Sequence, residues 1–88
     1  MLARFVDDDF GYLRWLNETP ECFVLNSERR PSRSFVVVHR GSCATLRSTR
    51  EGLTSRLLKV CASTLAEIDQ WSRENVGVQP SRCQLCRP

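Results

Sequence analysis

Four metal-binding side chains in two close pairs constrain this chain more than any other feature of its sequence. The first pair is His39 and Cys43, and the second is Cys83 and Cys86. One imidazole and three thiolates suit tetrahedral Zn²⁺, and because each pair is local, only one long loop must close for the four donors to meet. The sequence therefore predicts a structural zinc site. Thiols that are only buried, or joined in disulfides, are the alternative.

Length and cysteine usage favour a metal over disulfides. A chain of 88 residues suits one domain with a modest core. A domain this small often needs a disulfide or a structural metal for stability, so we predict a single zinc-binding domain over residues 1–88. The five cysteines are an odd count, and the aspartates at 7–9 interrupt the N-terminus before any apolar signal stretch forms. The apolar run at 35–38 is too short for a membrane span. We expect a soluble, cytoplasmic protein.

The net charge of +3 is unevenly distributed along the chain. Residues 29–59 carry arginine almost exclusively as their cation, with Glu51 as the one carboxylate. The planar guanidinium suits phosphate, so this segment predicts a polyanion partner. The candidate nucleic-acid-binding residues are Arg29, Arg30, Arg33, Arg40, Arg47, Arg50, Arg56 and Lys59.

Local signals predict two helices. The first covers residues 8–17, capped by an aspartate, with Phe10, Leu13 and Leu16 as its buried stripe. The second opens with the capping box of Thr64 and Glu67 and closes before Gly77. The aspartates at 7–9 are assigned to capping and to no chemistry.

Short apolar runs at residues 22–25, 34–39 and 57–61 predict strands. The segment 26–33 would link the first two, and the segment 44–56 reads as an exposed basic loop. The expected fold class is therefore α+β: a small zinc-stapled domain with a two- to three-stranded antiparallel sheet and two helices.

Two further cysteines leave the ligand assignment partly open. Cys61 could replace His39 in an all-thiolate site, but His39 is favoured because its pairing with Cys43 is local. Cys22 reads as a small buried hydrophobic residue.

The strand end His39-Arg-Gly-Ser-Cys43, a following helix and the terminal Cys83-Gln-Leu-Cys86-Arg-Pro resemble the zinc module of Ada-type DNA repair proteins. Related small modules of bacterial nucleases carry a similar His-x3-Cys and Cys-x2-Cys-x-Pro pattern. The resemblance covers the chain from Val36 onward. Residues 11–16 and 23–26 are also similar to uncharacterised small actinobacterial domains.

The chain departs from the repair module at the first ligand. In the repair proteins that ligand is a zinc thiolate that accepts a methyl group, whereas His39 stands at the corresponding position. A neutral imidazole cannot take that role, and residues 44–58 read as an insertion between the two half-sites. The resemblance therefore implies a metal-stapled module suited to nucleic acid, without the repair chemistry.

These observations predict a non-enzymatic, zinc-stabilised nucleic-acid-binding module, with DNA favoured over RNA as the partner. The alternative is a protein-interaction adaptor or inhibitor with a structural zinc. An enzyme is disfavoured because a closed four-ligand zinc has no open position for water and the chain has no Gly-rich phosphate loop. We expect no membrane partner and no small-molecule substrate.

Overall fold

The structure is a computed structural model that describes residues 2–47 and 53–88. Its helices are α1 (Asp9–Glu18) and α2 (Leu65–Asn75). Its strands are β1 (Leu2–Phe5), β2 (Phe23–Glu28), β3 (Val36–Arg40), β4 (Leu57–Ala62) and β5 (Ser81–Arg82). A short 3₁₀ helix, Ala44–Arg47, follows β3. Among these residues no helix is long and apolar enough to cross a bilayer.

The strands form one mixed sheet in the order β1-β4-β2-β3-β5. The expectation of a two- to three-stranded antiparallel sheet is therefore wrong, although two helices and the α+β class agree. The three predicted strands form its antiparallel centre, β1 adds antiparallel to β4, and β5 adds parallel to β3. The two added strands were missed because they are four and two residues long, and such short runs carry no readable alternation.

The sheet buries two different faces because successive side chains on a strand point to opposite sides. One face packs under α1 and forms the α1-face cluster: Tyr12, Leu16, Cys22, Val24, Cys43, Leu46, Leu53 and Cys61. The other packs under α2 and forms the α2-face cluster: Leu25, Val36, Val38, Leu58, Val60, Ala62, Ile68 and Trp71. The candidate ligands belong to the α1 side.

Helix α1 begins where the sequence predicted, and of its predicted stripe Leu16 is buried, Leu13 packs partly against the core and Phe10 does not. Asp8 caps it by accepting a hydrogen bond from the Gly11 amide at 2.9 Å. Tyr12 and Leu16 are fully buried, one turn apart on the same side of the helix. Phe10, predicted to be buried, is 79% exposed. The position of the sheet places Tyr12, in place of Phe10, on the buried side beside Leu16.

Helix α2 confirms both of its local signals. The Thr64 hydroxyl accepts a hydrogen bond from the Glu67 amide at 3.2 Å and donates to the Glu67 carboxylate at 2.9 Å. Gly77 follows the last turn with φ of 91°, a left-handed conformation that glycine adopts without strain. Two signals that act over a few residues were enough to place this helix.

The segment predicted as an exposed basic loop, 44–56, is partly core. Leu46, Leu53 and Thr54 are buried, and the Tyr12 hydroxyl donates to the Leu46 carbonyl at 3.2 Å. The Thr54 hydroxyl donates to the Asp9 carboxylate at 2.5 Å, which ties the segment to the start of α1. The expectation of an exposed loop is wrong for these residues. Arg50 and the side chain of Arg47 lie outside the described part of the chain.

Candidate metal centre

The first half-site sits at the end of β3. His39 pairs with Val24 across the β2–β3 ladder and shares its face of the sheet. The chain then turns through Gly41, whose amide donates to the Cys22 carbonyl at 2.7 Å. A Cβ at Gly41 would lie 2.6 Å from the Cys22 sulfur, so only glycine fits this approach. The turn brings Cys43 back beneath α1, where it is buried.

The second half-site is a Cys-x2-Cys turn attached to the edge of β3. The Cys83 amide donates to the Val38 carbonyl at 2.9 Å, and the Arg87 amide donates to the Cys83 carbonyl at 2.9 Å. The short parallel pairing of β5 with β3 therefore delivers the turn to the end of β3, beside His39. The long loop between the half-sites is closed by sheet pairing, which the sequence pattern did not show.

Arg40 fastens this turn to the sheet. Its backbone amide donates to the Cys86 sulfur at 3.2 Å, and its guanidinium donates to the carbonyls of Cys86 and Arg87 at 3.0 Å each. An amide directed at a cysteine sulfur favours the thiolate, which is the form that binds a metal. Arg40 therefore holds the second half-site in position.

The four predicted ligands come together. One donor atom from each of His39, Cys43, Cys83 and Cys86 lies within 4.8 Å of all the others. The Cys43 and Cys83 sulfurs are 4.0 Å apart. Sulfurs bound to one zinc at the usual ~2.3 Å would lie about 3.8 Å apart in a tetrahedron. The expected clustering is confirmed, and the group could hold a metal ion.

The two nitrogens of His39 have different surroundings. Its Nε2 lies 3.1 Å from the Asn26 side-chain nitrogen. Its Nδ1 is buried and has no hydrogen-bond partner among the described residues. A buried polar nitrogen without a partner is costly, and a bound metal would satisfy it. Nδ1 is therefore the candidate ligand atom, and burial, followed by the charge of Lys59, lowers the pKa of the ring.

The thiols of the Cys-x2-Cys turn differ in their acidity. Burial alone would raise the pKa of Cys83. Hydrogen bonds from the backbone amides of Cys86 and Leu85, and from neighbouring thiols, have the larger effect and lower it. Burial raises the pKa of Cys86 to about 11, and its contacts with Cys43 and Cys83 add to that shift. A bound divalent metal would lower the pKa of both thiols, because it stabilises the thiolate form.

Cys61 does not join this group. It lies on β4, is fully buried in the α1-face cluster, and is absent from the donor atoms that converge. Burial raises the pKa of its thiol, followed by the effect of nearby Cys22. The geometry favours His39 as the fourth ligand, and both Cys61 and Cys22 pack as buried thiols.

Sequence reasoning missed Asn26 and Lys59 as neighbours of His39. The Lys59 ammonium donates to the Asn26 carbonyl oxygen at 2.5 Å, and the Asn26 amide reaches His39. Lys59, predicted as a phosphate contact, is only 4% exposed, so its ammonium presents little surface to a ligand. The alternation of side chains along a strand could have predicted this. Asn26 lies two residues from Val24, and Lys59 lies two residues from Cys61, so both share the face of the sheet that packs against α1.

Two of the other predicted nucleic-acid-binding residues are engaged within the protein. Arg29 donates to both carboxylate oxygens of Asp7, at 3.1 and 2.5 Å, and to the Ser55 carbonyl at 2.7 Å. Arg40 is fastened to the Cys-x2-Cys turn, as described above. Both arginines are structural in this arrangement.

Three further predicted cations are exposed: Arg30, Arg33 and Arg56. Glu28 pairs with Leu57, so Arg30 and Arg56 lie at the same end of the sheet. His39 and Arg40 lie at the other end, opposite Val24 and Phe23. The exposed basic end, defined as Arg30, Arg33 and Arg56, is therefore separated from the candidate metal centre by the length of the strands.

Comparisons with known proteins give no independent support for a family. No family model, no curated protein and no solved structure matches the chain. The likeness to the Ada-type module and to the actinobacterial domains therefore rests on the quoted motifs alone. The observation of greatest weight is the convergence of one imidazole and three thiols.

Proposed function

We propose that this protein is a non-enzymatic nucleic-acid-binding module stabilised by a structural zinc. The convergence of His39, Cys43, Cys83 and Cys86 within 4.8 Å carries the metal assignment. Three sulfurs and one nitrogen favour zinc over magnesium or calcium, which prefer oxygen. Four protein ligands leave no open position for a reacting water, so the zinc stabilises the fold.

The exposed basic end supports the nucleic-acid assignment. Arg30, Arg33 and Arg56 project from one end of the sheet, where the long hairpin loop and the start of β4 meet. Guanidinium groups on such a surface suit phosphates, whose contacts dominate non-specific nucleic-acid affinity. The metal centre at the opposite end holds the sheet together and makes no contact with the ligand.

A salt titration tests this proposal. Replacing Arg30 and Arg56 with alanine should reduce the slope of log affinity against log salt by about 2 for a DNA duplex, since each arginine would meet one phosphate. Arg14→Ala with Arg73→Ala is the matched control, because it removes the same charge from two exposed helix positions. The control should leave the slope nearly unchanged. A parent protein with no affinity for duplex DNA, single-stranded DNA or RNA at low salt contradicts the assignment.

Metal binding is tested separately. Mass spectrometry under non-denaturing conditions should find one zinc per chain in the purified protein. A folded, metal-free parent would contradict the zinc assignment. It would not contradict the nucleic-acid assignment, which rests on the exposed basic end.

Two exposed apolar side chains support a second candidate, a protein-interaction adaptor. Phe10 is 79% exposed at the start of α1, and Leu85 is 78% exposed between the two ligands of the Cys-x2-Cys turn. An apolar side chain of this size loses contact with water when a protein partner covers it, which favours binding. Salt-insensitive binding to a protein, weakened by Phe10→Ser or Leu85→Ser, would favour the adaptor over the nucleic-acid module.

A further inference from the structure

Two aromatic side chains lie outside both core clusters. The aromatic residues that belong to a cluster or pack against one are Phe5, Tyr12, Trp15, Phe23 and Trp71. The other two are Phe10, which is 79% exposed, and Phe35, which is half-buried. Neither forms a ring contact with an aromatic or cationic side chain among the described residues. Aromatic rings contribute strongly to binding when a partner covers them, so both are candidate contact residues.

Phe35 belongs to the exposed basic end. Strand β3 begins at Val36, so Phe35 lies at the same end of the sheet as Arg30 and Arg56. Arg33 precedes it by two residues. An aromatic ring and three guanidinium groups therefore lie at one end of the sheet.

The arginines at this end keep their charge available for a ligand. The three guanidinium groups of the exposed basic end form no ion pair with a carboxylate among the described residues. The carboxylate at the end of β2, Glu28, accepts a hydrogen bond from the Ser34 hydroxyl at 3.0 Å. Asp7 is paired with Arg29. Phosphate groups can therefore approach this surface from solvent.

Phe10 has the opposite surroundings. It follows the capping residue Asp8 and the first helical residue, Asp9. Both aspartates are exposed, and their negative charge repels phosphate. A nucleic-acid strand therefore favours contact with Phe35 over contact with Phe10, which makes Phe10 a matched control.

A ring beside exposed arginines is the combination that binds single-stranded nucleic acid. The cations contact the phosphates, and the ring stacks on a base. In a duplex the bases are stacked on one another and paired, so a side-chain ring reaches the face of a base most readily in a single strand. We propose that the exposed basic end binds single-stranded nucleic acid and that Phe35 stacks on one base. This inference rests on the proposed nucleic-acid function and names the form of nucleic acid that the site takes.

Two synthetic oligomers test whether the parent protein contacts a base. Oligothymidylate and an abasic oligomer of the same length carry the same phosphates, but only the first offers bases. The parent should bind oligothymidylate about 5- to 100-fold more tightly, the usual effect of one stacked base. Oligouridylate should show a similar advantage because the ring contacts the base and not the sugar. The tighter of the two base-containing oligomers identifies DNA or RNA as the source.

Variants of the two aromatic residues test whether Phe35 makes the contact. Phe35→Leu keeps an apolar side chain but removes the ring, so it should bind oligothymidylate no more tightly than the abasic oligomer. Phe35→Tyr keeps a ring and should retain the advantage. Phe10→Leu should leave both affinities unchanged. If Phe35→Leu does not fold, the abasic comparison in the parent decides the result.

The failures are distinguishable. A parent that binds oligothymidylate and the abasic oligomer equally well overturns the stacking and leaves the nucleic-acid assignment intact. Tighter binding of a duplex than of the single strand also overturns it, as does a folded Phe35→Leu variant that keeps the full advantage. A parent with no affinity for any of these oligomers at low salt overturns the proposed function itself.

Discussion

The two faces of the sheet are stabilised by different means. Under α2 the cluster is purely apolar and includes Leu25, Val60, Ile68 and Trp71. Under α1 the cluster contains three of the five cysteines, and the same face carries His39, Asn26 and the ammonium of Lys59. The apolar area buried under α2 stabilises the folded state without a bound metal. The α1 face buries groups that need partners.

This difference indicates what a bound metal would contribute to so small a domain. His39 Nδ1 has no partner among the described residues, and burial and contacts with Cys43 and Cys83 raise the pKa of Cys86, so a bound cation would stabilise groups on the α1 face. The α2 face has no such requirement. Each face has its own reporter, since Trp15 packs against the α1-face cluster and Trp71 belongs to the α2-face cluster.

The largest expected effect comes from removing a ligand. Cys83→Ser should abolish stoichiometric zinc, and structural zinc contributes about 10–16 kcal/mol of binding free energy in small zinc-finger peptides. Trp15 emission, measured in a Trp71→Phe background, should shift strongly, and Trp71 emission in a Trp15→Phe background should shift less. Cys22→Ala is the control, because Cys22 lies outside the converging donors, and it should retain zinc. Equal loss of order around both tryptophans would show that the faces are not independent.

The next effect lies on the opposite face. Ile68 is fully buried on α2, so Ile68→Ala should lower the free energy of unfolding by about 2–5 kcal/mol through lost burial and a cavity. Zinc stoichiometry should not change. Leu85→Ala, which truncates an exposed side chain within the metal turn, should cost less than about 0.5 kcal/mol. Loss of zinc in Ile68→Ala would remove the distinction between the faces.

A smaller effect separates ligand from packing residue within the α1 face. Cys61→Ser should retain one zinc and lower the free energy of unfolding by about 1–2 kcal/mol, because a buried hydroxyl replaces a thiol. His39→Ala should lose tight zinc binding. The reverse pattern, with zinc lost in Cys61→Ser and kept in His39→Ala, would move the fourth ligand to β4.

The smallest effect is a change in pH dependence. The pKa of His39 is lowered from 6.5, mainly by burial, so the folded ring binds fewer protons than the unfolded chain below that pH. Its contribution to stability is therefore present above pH 6.5 and is lost as the pH falls through the lower, folded pKa. Bound zinc acts in the same direction because it needs the deprotonated ring.

Thermal unfolding of the zinc-loaded protein from pH 8 to pH 5.5 measures this contribution. The melting temperature of the parent should fall more steeply below pH 6.5 than above it. His39→Cys keeps four ligands but has no imidazole, so this change of slope should be absent from it. A parent without the change of slope would argue against His39 as a buried ligand.

Local signals in the sequence determined the helices and the identity of the site. The aspartate before α1 and the capping box of α2 form hydrogen bonds within three residues, so they can start a helix without contacts from the rest of the chain. The pairs His39 with Cys43 and Cys83 with Cys86 are equally local. Their donor chemistry was readable before any fold was known, and the structure brings the four side chains together as expected.

Only the tertiary structure decided which residues meet across the sheet. Strands β1 and β5 are too short to produce a readable sequence pattern. They form because each pairs with the edge of a longer strand, β1 with β4 and β5 with β3. The burial of Tyr12 in place of Phe10 followed from where α1 meets the sheet. Lys59 carried the charge expected of a phosphate contact, yet the pairing of β4 with β2 placed it beside Asn26. Charge and hydropathy belong to a residue, but its neighbours are set by pairing across long loops, which no local pattern encodes.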